Sequence, residues 1–68
     1  MRETFGERLR ELRKESGLSI AALSREVKIP ASSLCRWENG KQDIVSYNLI
    51  ILANYFHVSA GYLLGLED

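Results

Sequence analysis

The 68-residue chain has a single cysteine, Cys35, and a single histidine, His57, around which nucleophilic or metal-binding chemistry could be built. A nucleophile needs a base beside it and a third group to orient that base. No Ser/His/Asp or Cys/His set here has a spacing that supports such an arrangement. One cysteine and one histidine supply too few soft ligands for a metal cluster, and no glycine-rich loop offers a phosphate cradle. No catalytic residue, metal or cofactor is therefore expected. Cys35 has no resolving partner and reads as a small helix residue rather than a redox sensor. What remains is cationic. Residues 8 to 41 hold eight basic and four acidic side chains, a net +4, while the rest hold one basic and five acidic, a net −4. The formal net charge of zero hides two unlike parts, and a localised positive field steers an anionic partner.

Short elements must position those cations. A chain of this length buries only about 60% of its unfolded surface, so it supports one domain over residues 1–68 and little else. The hydrophobic fraction of 46% suffices for that core. One cysteine excludes an internal disulfide and fits a reducing cytoplasm. The opening stretch MRETFGERLRELRKE lacks an apolar signal core. No apolar run approaches the roughly 18 residues of a membrane span, so no membrane partner is expected.

The periodicity is helical nearly throughout. Thr4 and Glu7 form a capping box. Phe5, Leu9 and Leu12 then share one face of a helix over about 5–16, which Gly17 ends. Ser19 caps a helix over 20–27, with Leu23 and Val27 inward. Pro30 suits the start of a helix over 31–38, closed by Asn39-Gly40. Ser46 opens a helix over 46–56, and His57 reads as its cap. Ser59 caps a short helix over 60–64, stopped by Gly65. Tyr47, Tyr55, Phe56 and Tyr62 read as core or core-edge aromatics. Five short helices with short connections predict a compact all-α bundle.

Three blocks, FGERLRELRKESGLS, SSLCRWENGK and LANYFHVSAGYLLG, resemble in order and spacing the helix-turn-helix domains of the phage repressor and Cro type, also called Xre-like. The resemblance covers residues 5 to 65 and implies the lambda-repressor-like fold. In that family the helix at 20–27 lies across the DNA backbone and the helix at 31–38 enters the major groove. Helical geometry agrees with this division. Leu34, Trp37 and Glu38 share one side of the third helix with Pro30. Ser32, Cys35, Arg36 and Asn39 share the other, with Ala31 at its margin.

The resemblance implies base reading by Ala31, Ser32, Cys35 and Arg36. Arg36 leads this set, because its fork can bond O6 and N7 of guanine together. Phosphate contacts are expected near Ser19 and Ile20, at a helix N-terminus, and from Ser33, Asn39, Lys41, Arg10 and Lys28. The family often has Gln or Arg at position 31, Gln at position 20 and Gly at position 28, so this chain departs at three places. Arg13 is expected to pair with Glu38, as its counterpart does in the family.

Two functions from different classes follow. One is a sequence-specific repressor that occupies palindromic operator DNA as a homodimer in the cytoplasm, without enzymatic activity. The other is an antitoxin or protein-interaction module on the same fold, with weak or no DNA binding. Ile44, Val45 and part of the last helix are candidates for a dimer contact or a surface for a protein regulator.

Overall fold

The computed structural model describes residues 4–67. They form five helices, α1 (Phe5–Glu15), α2 (Ile20–Val27), α3 (Ala31–Glu38), α4 (Ser46–Phe56) and α5 (Ala60–Leu63), with no strand among the described residues. Helices α1 and α5 each stop one residue before the sequence expectation, because Ser16 and Leu64 are their C-caps.

Most helix starts have a local cause. At α1 the Glu7 N–H donates to the Thr4 hydroxyl oxygen at 3.3 Å, and the Thr4 N–H donates back to the Glu7 carboxylate at 2.9 Å. Two otherwise orphaned donors are satisfied reciprocally. Ser19 accepts from the Ala22 N–H at 3.0 Å, and Ser59 from the Tyr62 N–H at 2.9 Å. Helix α4 has Val45 at its N-cap and no side-chain cap, so Ser46 is its first helical residue.

The stops are also local. At the end of α1, the Leu18 N–H donates to the Arg13 carbonyl at 3.1 Å and the Gly17 N–H to the Lys14 carbonyl at 3.0 Å. This double closure needs a left-handed residue between the two donors, and Gly17 supplies it at φ +72°. Two non-glycine residues take the same left-handed conformation with strain, Lys28 (φ 60°) after α2 and His57 (φ 58°) after α4.

The core takes one fully buried leucine from each helix: Leu9, Leu23, Leu34, Leu52 and Leu63. Each such burial contributes on the order of 1.5–3 kcal/mol. Val27, Ile29, Trp37 and Ala53 complete the cluster. Helix α1 packs against α3 and α5, α2 against α3 and α4, and α4 against α5. The approach of α1 to α3 is close. A Cβ on Gly6 would lie 2.6 Å from the Trp37 carbonyl oxygen and 2.8 Å from that of Glu38.

Two residues depart from their sequence reading. Tyr47, expected at the core edge, is 75% exposed. It stands two residues before Leu49, roughly 200° round the helix from that inward residue. Arg8 belongs to the positively charged segment yet is only 6% exposed. Its Nη1 donates to the carbonyls of Tyr62 at 2.9 Å and Glu67 at 2.6 Å. Its guanidinium carbon lies 4.2 Å from the centroid of the Tyr62 ring. Arg8 thereby ties α1 to a carbonyl of α5 and to another in the segment that follows it.

Candidate nucleic-acid interface

Helices α2 and α3 are joined by the three-residue turn 28–30. Ile29 anchors this turn in the core, and the Ser24 hydroxyl donates to the Ile29 carbonyl at 2.5 Å. Lys28 adopts the left-handed conformation that reverses the chain. Pro30 sits at the N-cap of α3, where it lacks no needed donor.

Helix α3 has two unlike sides. Leu34, Trp37 and Glu38 are buried, while Ser32, Cys35, Arg36 and Asn39 are exposed. Ala31 and Ser33 are half-buried at the margins. The exposed side carries short side chains and one long cation. That combination allows close approach to a groove and leaves a forked donor to read base edges.

A polar cluster fixes the C-terminal end of α3 to α1. Arg13 Nε donates to Glu38 Oε2 at 2.7 Å, and Arg13 Nη2 to Glu38 Oε1 at 3.0 Å. Arg13 Nη1 also donates to the Leu18 carbonyl at 2.9 Å. The bond to Glu38 raises the Arg13 pKa above the ordinary arginine value, against the opposing effect of burial. Arg10 Nη2 donates to the Glu38 carbonyl at 3.2 Å and to Asn39 Oδ1 at 2.9 Å. The Asn39 amide in turn donates to Cys35 Sγ at 3.5 Å. Arg10 and Asn39 thus meet each other, next to the exposed Cys35.

The other phosphate candidates are dispersed. Ser19 is exposed, with its hydroxyl oxygen occupied as the cap of α2. The side chain of Ile20 packs against the core and offers nothing polar. Lys28 and Lys41 are both exposed. Of the eight basic residues between 8 and 41, Arg8 and Arg13 are committed to the interior and Arg10 is half-buried. The remaining five, Lys14, Arg25, Lys28, Arg36 and Lys41, are exposed and carry the field.

One contact has no counterpart in the sequence reading. Arg36 Nε donates to Gln42 Oε1 at 2.7 Å, across the turn at Gly40. Gln42 is an exposed loop residue without a motif, so no local signal ties it to Arg36. Among the described residues, no group of three or more His, Cys, Asp or Glu could hold a metal ion. No helix there is long and apolar enough to cross a membrane.

A bihelical unit with one buried and one small, polar, cationic face on its second helix defines a helix-turn-helix protein. The chain belongs to that family, since residues 6–68 match its helix-turn-helix domain model. It is similar to the P22 c2 repressor, solved in complex with a synthetic operator. That match has 29% identity and a TM-score of 0.87, covering 96% of this chain and 98% of the repressor chain. It is also similar to the restriction-modification controller protein C.AhdI from Aeromonas hydrophila. There the identity is 32% and the TM-score 0.79, over 87% of this chain and 89% of the other. The HTH-type transcriptional regulator YobD of Bacillus subtilis is 37% identical over 94% of this chain and 57% of its own length. The chain spans about half the length of the curated relatives it matches, 57% of one and 51% of another.

Proposed function

We propose that the chain binds double-stranded DNA sequence-specifically and acts as a transcriptional regulator, a repressor that occupies its operator, in the cytoplasm. The observation that carries this reading is the exposed side of α3, with Ser32, Cys35 and Arg36 presented on a helix whose other side is locked into the core. The likeness to a repressor solved on operator DNA supports it. Ala31, Ser32, Cys35 and Arg36 read base edges. Ser19, Ser33, Asn39, Lys41, Arg10 and Lys28, with the N–H groups at Ile20, hold the phosphates. Regulation by occupancy needs no bond-making chemistry. A recognition surface this small reads few base pairs, so a homodimer on a palindromic site supplies the specificity.

The test is in-vitro selection of DNA from a random pool, followed by mobility shifts at rising salt. Enrichment of a palindrome, with affinity falling steeply as salt displaces the phosphate contacts, is the expected result. Failure to enrich any sequence at low salt contradicts the reading.

A second reading, an antitoxin or interaction module, draws on a different observation. Val45, Tyr47, Ile50 and Leu66 are large apolar side chains left exposed. In that reading they bind a protein regulator, and Arg36→Ala leaves the activity unchanged.

A further inference from the structure

We infer that Gln42 is a positioning residue for Arg36, fixing which edge of its guanidinium is offered to a base. The inference rests on the proposed DNA-binding function and assigns a specificity role to a loop residue outside α3.

The geometry is specific. The Arg36 Nε–H donates to Gln42 Oε1 at 2.7 Å. A guanidinium presents two bidentate edges, one using Nε with an Nη and the other using Nη1 with Nη2. Occupation of Nε by Gln42 removes the first edge and leaves the second. Guanine O6 and N7 require two parallel donors, so Arg36 reads guanine end-on with its plane set by the Gln42 amide. The amide orientation follows from the chemistry, because Nε can only donate and must face the oxygen of Gln42.

The loop that carries Gln42 is held at both ends. The Lys41 N–H donates to the Arg36 carbonyl at 2.9 Å and the Gly40 N–H to the Trp37 carbonyl at 3.1 Å, which closes α3. Two residues beyond Gln42, Ile44 packs against the core. Arg36 and Gln42 are both exposed. In water such a bond between long side chains contributes little. Inside a groove from which water is expelled, a pre-oriented fork loses less rotamer freedom on binding. The contact therefore acts on recognition and leaves folding nearly unchanged.

The experiment selects DNA from a random pool with the wild-type chain, then measures affinity for the selected site and its single-base variants. The proteins compared are wild type, Arg36→Ala, Gln42→Met, Gln42→Glu and the double variant Arg36→Ala/Gln42→Met. Arg36→Ala marks the base pair that Arg36 reads, by erasing a preference of roughly 10- to 100-fold there. Gln42→Met, which keeps length and loses the acceptor, is expected to cut that same preference roughly 3- to 10-fold with an unchanged melting temperature. Gln42→Glu keeps the acceptor and is expected to retain the preference, although its charge weakens binding to all sequences. The double variant is expected to match Arg36→Ala.

A wild-type site read with unchanged preference by Gln42→Met overturns the inference alone. A Gln42→Met effect that persists without Arg36, or falls equally on every sequence, also overturns it, since Gln42 then contacts DNA by itself. A wild-type chain that enriches no sequence overturns the DNA-binding reading and this inference with it.

Discussion

Arg13 on α1 holds both carboxylate oxygens of Glu38 at the end of α3, at 2.7 and 3.0 Å. The side chains are 12% and 4% exposed respectively, so the pair is largely withdrawn from water. Arg10 approaches the same carboxylate at 3.4 Å from the solvent side. Glu38 is thus the anionic centre of a three-residue bridge that sets α3 against α1.

Removing the carboxylate leaves the half-buried Arg13 guanidinium with its bond to the Leu18 carbonyl and without its counter-charge. Breaking a fully buried pair costs about 3–5 kcal/mol and an exposed pair contributes about 0–1 kcal/mol, so this pair falls between, at about 1–3 kcal/mol. Glu38→Ala is expected to lose stability on that scale, a large share of what a domain of this size has. DNA affinity should fall with it, because the C-terminal end of α3 loses its anchor. Thermal melts followed by circular dichroism measure the first effect. An unchanged melting temperature would sink the idea that the pair holds the helices.

Gly6 has a steric requirement rather than a conformational one. Its neighbours at 2.6 and 2.8 Å are backbone carbonyl oxygens, which cannot swing aside as a side-chain tip would. Elsewhere in a helix, Gly→Ala stabilises by about 1 kcal/mol. Here Gly6→Ala is expected to destabilise by about 1–3 kcal/mol through overpacking of α1 on α3. Urea unfolding gives the sign directly, and a stabilised variant would refute the close approach.

Lys28 occupies a left-handed conformation with φ 60° and ψ 37° between α2 and α3. That region costs an ordinary L residue roughly 1–2 kcal/mol. Part of the relief offered by glycine is cancelled by its freer unfolded state. Lys28→Gly should therefore raise stability modestly, by about 1 kcal/mol, seen as an upward shift of about 4–8 °C in Tm. It also removes an exposed cation, so the salt dependence of DNA binding should become shallower. A lower Tm for this variant would contradict the strain argument.

The Thr4–Glu7 capping box links the start of α1 to pH. The backbone N–H of Thr4, then its hydroxyl, hold the Glu7 carboxyl below its ordinary value of 4.5. A depressed pKa means the folded state favours the ionised form. Its contribution is fully present above the unfolded value and is lost as pH falls through the folded value. The stability gap between wild type and Glu7→Gln should be open near about pH 7 and shrink toward about pH 3. Melts across that range decide the point, and a gap that stays constant would count against the linkage.

What the sequence determined by itself is local. Thr4, Ser19 and Ser59 announce helix starts, and Gly17, Gly40 and Gly65 announce stops, because caps are satisfied within a few residues of chain. Leu34 and Trp37 face inward and Ser32 and Arg36 outward, because 3.6 residues per turn decides it. The tertiary structure decided what each arginine does. Arg8 and Arg10 stand two residues apart on α1 and are identical in type. One is buried against carbonyls 54 and 59 residues away, and the other reaches across to Glu38 and Asn39. The need for glycine at position 6 arises only because α3 lies against it, and Gln42 is tied to Arg36 only because the turn at Gly40 brings the two together. Helix signals depend on neighbours in sequence. The commitment of a long cation depends on which unsatisfied acceptors packing brings within its reach.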